Sequence, residues 1–231
     1  SSLSNPKICL AKGLTAEHKR SVWEAYAQKT GRQETMFGRL FESVFEEQSK
    51  LVVGQYEKMG KLPDNLNDED TARKFEPAIK IIYDSAFEDA VPSKSLKQMD
   101  EFARTWILQR SLTLAKSINA TTLEALRHEL SLGFEAGESI QQLTKRIEGY
   151  FTENAHRRAE MVSRSEVITA SNEGALHRYE LEGIGKVEFY PAPDACPVCL
   201  ALVGEYPAKE SHGMITERTH PFCRCVFLPV V

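Results

Sequence analysis

No stretch of this sequence is apolar enough, for long enough, to cross a bilayer as a helix, which takes about 20 such residues. The N-terminus lacks a basic patch followed by an apolar block and a small-residue cleavage site, so nothing points to secretion. There is no glycine-rich loop to cradle a phosphate and no nucleophile elbow, which removes the commonest nucleotide-binding and hydrolase signatures. Positive charge is not in excess either. The net charge of -4 argues against a broadly basic DNA-binding module. Internal repeats and low-complexity tracts are missing, and so is an initiating methionine. The chain opens Ser1-Ser2-Leu3-Ser4-Asn5-Pro6, as a fragment or a processed protein would.

What is present is ordinary in bulk and uneven in detail. With 231 residues, 42% of them hydrophobic and 27% charged, the chain can build one large domain or two small ones around an apolar core. The cysteines are crowded at one end: Cys9 stands alone, while Cys196, Cys199, Cys223 and Cys225 fall together near the C-terminus. Without a secretory signal, such clustering suggests a metal site before a disulfide scaffold.

Most of the chain has helical periodicity. Residues 15–59 read as one long helix or two in succession, with Gly31 as a possible break and Phe37, Leu40, Phe41, Val44 and Phe45 on one stripe. That stripe is either core or a docking face for a partner helix. Residues 61–70 read as a surface loop, and a helix after it should kink or restart at Pro77, which removes an amide and crowds the preceding turn. Val91-Pro92-Ser93 ends that element. Residues 99–117 form a further helix with Phe102, Trp106 and Leu108 as its large apolar residues.

Thr121-Thr122-Leu123-Glu124 has the spacing of a capping box and predicts a helix start, and Ser139-Ile140-Gln141-Gln142 repeats the device. A helix over 153–181 follows, with Met161, Ser165, Ile168, Asn172, Ala175 and Tyr179 along one seam, and Gly183 and Gly185 stop it. The period then changes to two around Val187 and Phe189, a short half-buried strand, and Val226-Phe227-Leu228 reads as a closing strand. The expected fold is therefore mainly α: an elongated helical body followed by a small β-containing, zinc-knuckle-like C-terminal module. Residues 1–118 form a helical N-terminal region and 119–231 a second region, whose cysteine-rich module spans 186–231.

One constellation carries chemistry. Cys196-Pro197-Val198-Cys199 sets two thiols at the spacing that lets both point into one turn, and thiolates so placed share a tetrahedral zinc at about 2.3 Å. His220-Pro221-Phe222-Cys223-Arg224-Cys225 supplies the second half. The turn at His220-Pro221 favours Cys196, Cys199, His220 and Cys223. The shared strand face of Cys223 and Cys225 favours four cysteines instead. Either set fills all four positions, so the one zinc per chain would be structural, holding together a polar 199–220 loop. A thioredoxin-like redox role would need a βαβ context that is missing. His18, His128, His156 and His177 fall singly in helical stretches, and His212 lies in a polar loop.

From about Asn119 onward the chain resembles the phage Mu protein F-like head morphogenesis family. Four segments in order carry the resemblance: Gly137-Glu138-Ser139-Ile140 with Leu143 and Ile147; Arg158-Ala159 and Arg164-Ser165-Glu166 with Asn172 and Gly174; Val187-Glu188-Phe189 with Asp194-x-Cys196-Pro197-x-Cys199 and Gly204; and His220-Pro221-x-Cys223-Arg224-Cys225. Ser165 departs from the family's usual threonine, and the motifs cover about half the chain. The resemblance implies a minor head protein, or the extension of a portal protein, without catalytic activity. It would work in capsid assembly or DNA passage at the portal vertex, made in the host cytoplasm and carried into the virion. Its partners would be the portal and other capsid or scaffold proteins, with no membrane. A DNA-binding role on the packaged genome is the alternative, but residues 145–178 mix Lys145, Arg146, Arg157 and Arg158 with Glu148, Glu153 and Glu160, so any DNA contact is expected to be weak. A metal-stabilised nuclease ranks last, since it would need His212 or His220 to pair with Glu210 or Glu217.

Overall fold

Ten elements follow one another in the computed structural model, which describes residues 14–91 and 100–230. Four long helices come first: α1 (Ala16–Met59), α2 (Asp68–Asp89), α3 (Glu101–Glu135) and α4 (Ile140–Leu181). The C-terminal part alternates short elements: β1 (Lys186–Tyr190), α5 (Pro197–Leu200), β2 (Gly204–Pro207), a 3-10 turn (Ala208–Glu210), α6 (Met214–Arg218) and β3 (Val226–Val230). The fold is mainly α with a small antiparallel sheet, as the periodicities predict. No described helix is long and apolar enough to cross a membrane. The expected stop at Pro92-Ser93 and the start of the next helix at Met99 lie outside the described residues.

The helices are longer than the local signals indicate. Ala16–Met59 holds as one helix, and Gly31 does not break it. Pro77 sits inside a continuous α2, because Phe75, Ile79 and Ile82 around it are completely buried and their burial outweighs the lost hydrogen bond. The capping box at Thr121 does not start a helix. Its hydroxyl donates back to the Ser117 and Ile118 carbonyls, and Thr122 does the same to Ile118, an alternative open to any threonine within a helix. Ala115, Ile118, Thr122 and Leu126 form an uninterrupted buried stripe through this stretch, with no glycine or proline to stop it. Ile107 and Ala103 continue that stripe, whereas Phe102 and Leu108, expected as its anchors, are exposed.

The second box behaves as predicted. The Ser139 amide and hydroxyl both donate to Gln142 Oε1 at 2.8 Å, and the Gln142 amide returns to Ser139 Oγ at 3.4 Å. Helix α4 then runs on to Leu181 without the restart expected near Glu153, since Ile147, Phe151 and Ala159 keep its buried face continuous.

The described residues fall into two compact units. One is drawn from the described parts of Ser1–Met36, Ala78–Arg104 and Met161–Val231, the other from Phe37–Pro77 and Thr105–Glu160. The second unit is a helical core. Phe37 stacks on Phe75, Phe41 on Phe45, and Phe45 meets Phe151 at 4.7 Å between ring centroids. Phe41 and Phe45 are 1% and 2% exposed, so this stripe is core and offers no docking face. Gln48 Nε2 donates to Asn119 Oδ1 at 2.7 Å, and both residues are buried.

The first unit contains the sheet, in the order β2-β1-β3 with both pairings antiparallel. The register sets Phe189 opposite Phe227 and Val187 opposite Pro229 and Tyr206. Val187 and Phe189 alternate inward against Ile168, Leu176 and Tyr179 of α4. Helix α4 ends at Gly183, whose φ of +76° closes the chain so that the Ile184 amide reaches the Tyr179 carbonyl and β1 can begin. The residues between Cys199 and His220 are no plain polar loop. They contribute β2 and α6, and bury Leu202, Ala208, Met214 and Ile215 in the same core.

Candidate metal centre

Cys196 precedes the one-turn helix α5, with Pro197 at its first position, where an amide donor is not needed. The Leu200 amide closes that turn on the Cys196 carbonyl at 3.0 Å, which brings the Cys199 side chain round toward the core. In the second half, the Cys223 amide reaches the His220 carbonyl at 3.2 Å, making a β-turn with Pro221 and Phe222 at its centre. Phe222 has φ +68°, a left-handed conformation that normally calls for glycine. A bulky residue there is strained, and such strain persists only where the surroundings over-determine it. The Phe222 ring lies under the Arg164 guanidinium, 5.0 Å from its carbon to the ring centroid.

These two turns meet. The ligand atoms of Cys196, Cys199 and His220 lie within 4.8 Å of one another, and so do those of Cys199, Cys223 and Cys225. Cys199 is the common member. Its sulfur stands 3.7 Å from that of Cys223, which matches the edge of a tetrahedron of sulfurs around zinc, about 3.8 Å for a bond of about 2.3 Å. All four cysteines here are free thiols. The cluster of Cys196, Cys199, His220, Cys223 and Cys225 could therefore hold a metal ion, with five candidates converging where two ligand sets had been drawn from the sequence.

The surroundings favour the thiolate at Cys196 and Cys223 and oppose it at Cys199 and Cys225. Backbone amides of Cys199 and Val198 donate to the Cys196 sulfur and lower its pKa. The Cys225 amide lies 3.5 Å from the Cys223 sulfur, and the Ala192 amide serves Cys225. Cys223 is held down at about 5, first because the Cys225 thiol donates to it, and Cys225 is correspondingly pushed up. Burial, together with the neighbouring Cys223, pushes Cys199 up to about 12. A divalent cation would take the place of those protons. The His220 Nδ1 sits 2.6 Å from the Pro221 carbonyl; donating there leaves Nε2 with the lone pair, as ligating histidines require.

Helices α1 and α4 support the centre, and the sequence did not announce how. Trp23 Nε1 donates to the Arg224 carbonyl at 3.0 Å, and Arg224 and Arg164 both approach the Glu34 carboxylate. Asn172, read from sequence as a seam position and a motif residue but with no partner assigned, bonds the backbone at Cys225 and Phe227. Gly174 is where α4 passes the backbone of α2: a Cβ there would stand 2.3 Å from the Tyr83 carbonyl.

A second polar cluster lies in the same unit. His212 Nδ1 meets the buried Glu173 at 2.6 Å and its Nε2 lies 3.3 Å from Glu180, so its acidic partners come from α4 and not from Glu210 or Glu217, as the nuclease alternative required. His177, buried, meets the Tyr83 hydroxyl at 2.8 Å and Asp100 at 3.1 Å. The Phe102 ring packs on both imidazoles. Periodicity could not have paired these residues, because their partners come from four separate segments. No family model, no curated protein and no solved structure matches this chain.

Proposed function

We propose that this chain is a structural and interaction protein of a tailed-phage head, a minor head protein or portal extension, whose C-terminal module is closed by one structural zinc. The observation that carries the reading is convergence. The motif segments from Asn172 onward, spread over more than fifty residues, gather around one set of thiols: Asn172 binds the strand at Cys225 and Phe227, Gly174 lets α4 approach α2, Val187–Phe189 form the central strand, and the two cysteine turns meet. A motif set that folds into one centre is what a family signature describes. The donor set of four thiols and an imidazole suits zinc better than harder cations, which prefer oxygen. Four protein ligands leave no open position, so the metal serves the fold and the fold presents a surface.

Two measurements test the proposal. Elemental analysis of the purified protein should find one zinc per chain. Co-expression with a tailed-phage portal protein should give a complex that survives size-exclusion chromatography at moderate salt. A chain without zinc and with cysteines paired as disulfides overturns the metal assignment. A chain that ignores portal, scaffold and capsid proteins alike, yet binds duplex DNA with a steep salt dependence, overturns the head-assembly reading in favour of a genome-binding one.

A further inference from the structure

Helix α4 carries Asn172 and Glu173 side by side, both buried. Asn172 serves the closing strand. Its Oδ1 accepts from the Phe227 amide at 2.9 Å and its Nδ2 lies 3.3 Å from the Cys225 carbonyl, with further contacts to the Ile168 carbonyl and the Tyr26 hydroxyl. One primary amide thus meets an N–H and a C=O two residues apart on extended chain, the pairing that a neighbouring strand would supply. Strand β3 has β1 on one side, and Asn172 takes up the other side where the strand begins.

Glu173 serves the opposite end of the same excursion. Its carboxylate accepts from the Gly213 amide at 2.6 Å and from His212 Nδ1 at 2.6 Å. Gly213 is left-handed at φ +75° and leads into α6. A carboxylate this deeply buried is costly unless every lone pair is used, and here it is used on a loop. Between the two anchors the chain runs through α6, Thr219, His220 and Cys223 before it reaches Cys225. Two adjacent residues of one helix therefore fix both the entry and the exit of the segment that bears three candidate ligands. The strained turn at Phe222 lies inside that segment.

We propose that Asn172 and Glu173 are positioning residues that hold the ligand-bearing excursion, residues 212–227, in its metal-accepting shape before any metal arrives. The purpose of this pair rests on the reading of the thiols as a metal site; its test does not. Ordering that is already complete in the metal-free chain need not be supplied by the incoming ion, so affinity rises by the ordering cost avoided.

The test uses the whole chain, first treated with chelator. Amide exchange should show Gly213 and Phe227 protected in the wild type. Asn172→Ala should lose at least tenfold of the protection at Phe227, and Glu173→Ala at Gly213, while β1 amides stay protected. Competition against a chromophoric chelator should then show zinc affinity at least tenfold weaker in both variants. Cobalt-loaded variants should lose intensity in the sulfur-to-cobalt charge-transfer band. Glu173→Gln keeps an acceptor for Gly213 and should recover most of the loss, which a change of general stability would not produce. If an alanine variant also loses β1 protection, Glu173→Gln and Asn172→Asp are compared instead; the latter keeps the acceptor for Phe227 and loses the donor to Cys225. Exchange over 212–227 that is as fast in metal-free wild type as in the variants overturns the proposal, as does unchanged protection in the variants. A wild type that binds no zinc ends the metal reading, and the exchange comparison still decides this one.

Discussion

A single methyl group at residue 174 probes how closely two helices are packed. A Cβ there would stand 2.3 Å from the Tyr83 carbonyl and 3.2 Å from the Phe87 amide nitrogen, both backbone atoms that cannot swing aside. Gly174→Ala must push α4 away from α2 and should cost about 1–3 kcal/mol, read as a lower denaturant midpoint with unchanged slope. The histidines nearby make a second residue-scale prediction. Burial opposes a charge on His212, but the hydrogen bond and charge of Glu173 and the charge of Glu180 prevail, and its pKa is raised. Burial also opposes a charge on His177, and there it prevails over Asp100, so that pKa is lowered. The His212 contribution to stability is complete below the unfolded value of about 6.5 and is lost as pH rises through the folded pKa. The His177 contribution is complete above that value and is lost as pH falls through its own. Imidazole resonances should therefore show His212 titrating at a higher pH than His177, and the reverse order would undo this assignment.

At the scale of elements, proline 77 offers the sharpest test. It lies inside α2 and deprives the helix of one hydrogen bond, while Phe75 and Ile79 keep it folded. Pro77→Ala should raise stability by about 1–3 kcal/mol, less the entropy that proline removes from the unfolded chain. A lower midpoint would mean that the ring itself is needed in the packing. The same helix shows where local signals end. Periodicity and apolar runs identified α1, strands β1 and β3 and the helical character of nearly everything before Lys186, because a stripe of apolar residues can be counted. Ser139 was recognisable as a cap, since its partner Gln142 is three residues away. Thr121 carries the same spacing and caps nothing, because whether a threonine hydroxyl meets a free amide or an i−4 carbonyl depends on whether the buried stripe continues beneath it. Strand β2 and α6 escaped notice for the opposite reason. Gly204-Glu205-Tyr206-Pro207 has Tyr206 as its one strand-favouring residue, and pairing with β1 and the packing of that ring on the core recruit it.

At the scale of the whole molecule, the cysteine cluster shares one core with the end of the helix that precedes it. The two cysteine turns were visible as a spacing pattern, but their share in the core was not, since contacts between residues as far apart as Ile168 and Cys225 leave no local trace. Cys199, Cys223 and Cys225 pack in one cluster with Ile168, Leu176 and Tyr179 of α4, and with Val187 and Phe189. Structural zinc binding is worth on the order of 10 kcal/mol in small sites, comparable to the stability of an entire domain. Chelation should accordingly loosen the unit that contains the sheet, including the Met161–Leu181 part of α4, and not merely a C-terminal appendage. Exchange in the chelator-treated protein should rise above that of the zinc-loaded protein over 161–181 as well as 186–230, with Gly213 and Phe227 still slower than in the Asn172→Ala and Glu173→Ala variants, while amides facing the Phe37, Phe41, Phe75 and Phe151 core keep their protection. Cys199 belongs to both triads, so Cys199→Ser should abolish metal binding outright. His220→Ala and Cys225→Ser then separate the two ligand sets, since only the residue that completes the tetrahedron should match that loss. If chelator raised exchange in 186–230 alone, α4 would be held by packing and the metal would close only its own loops.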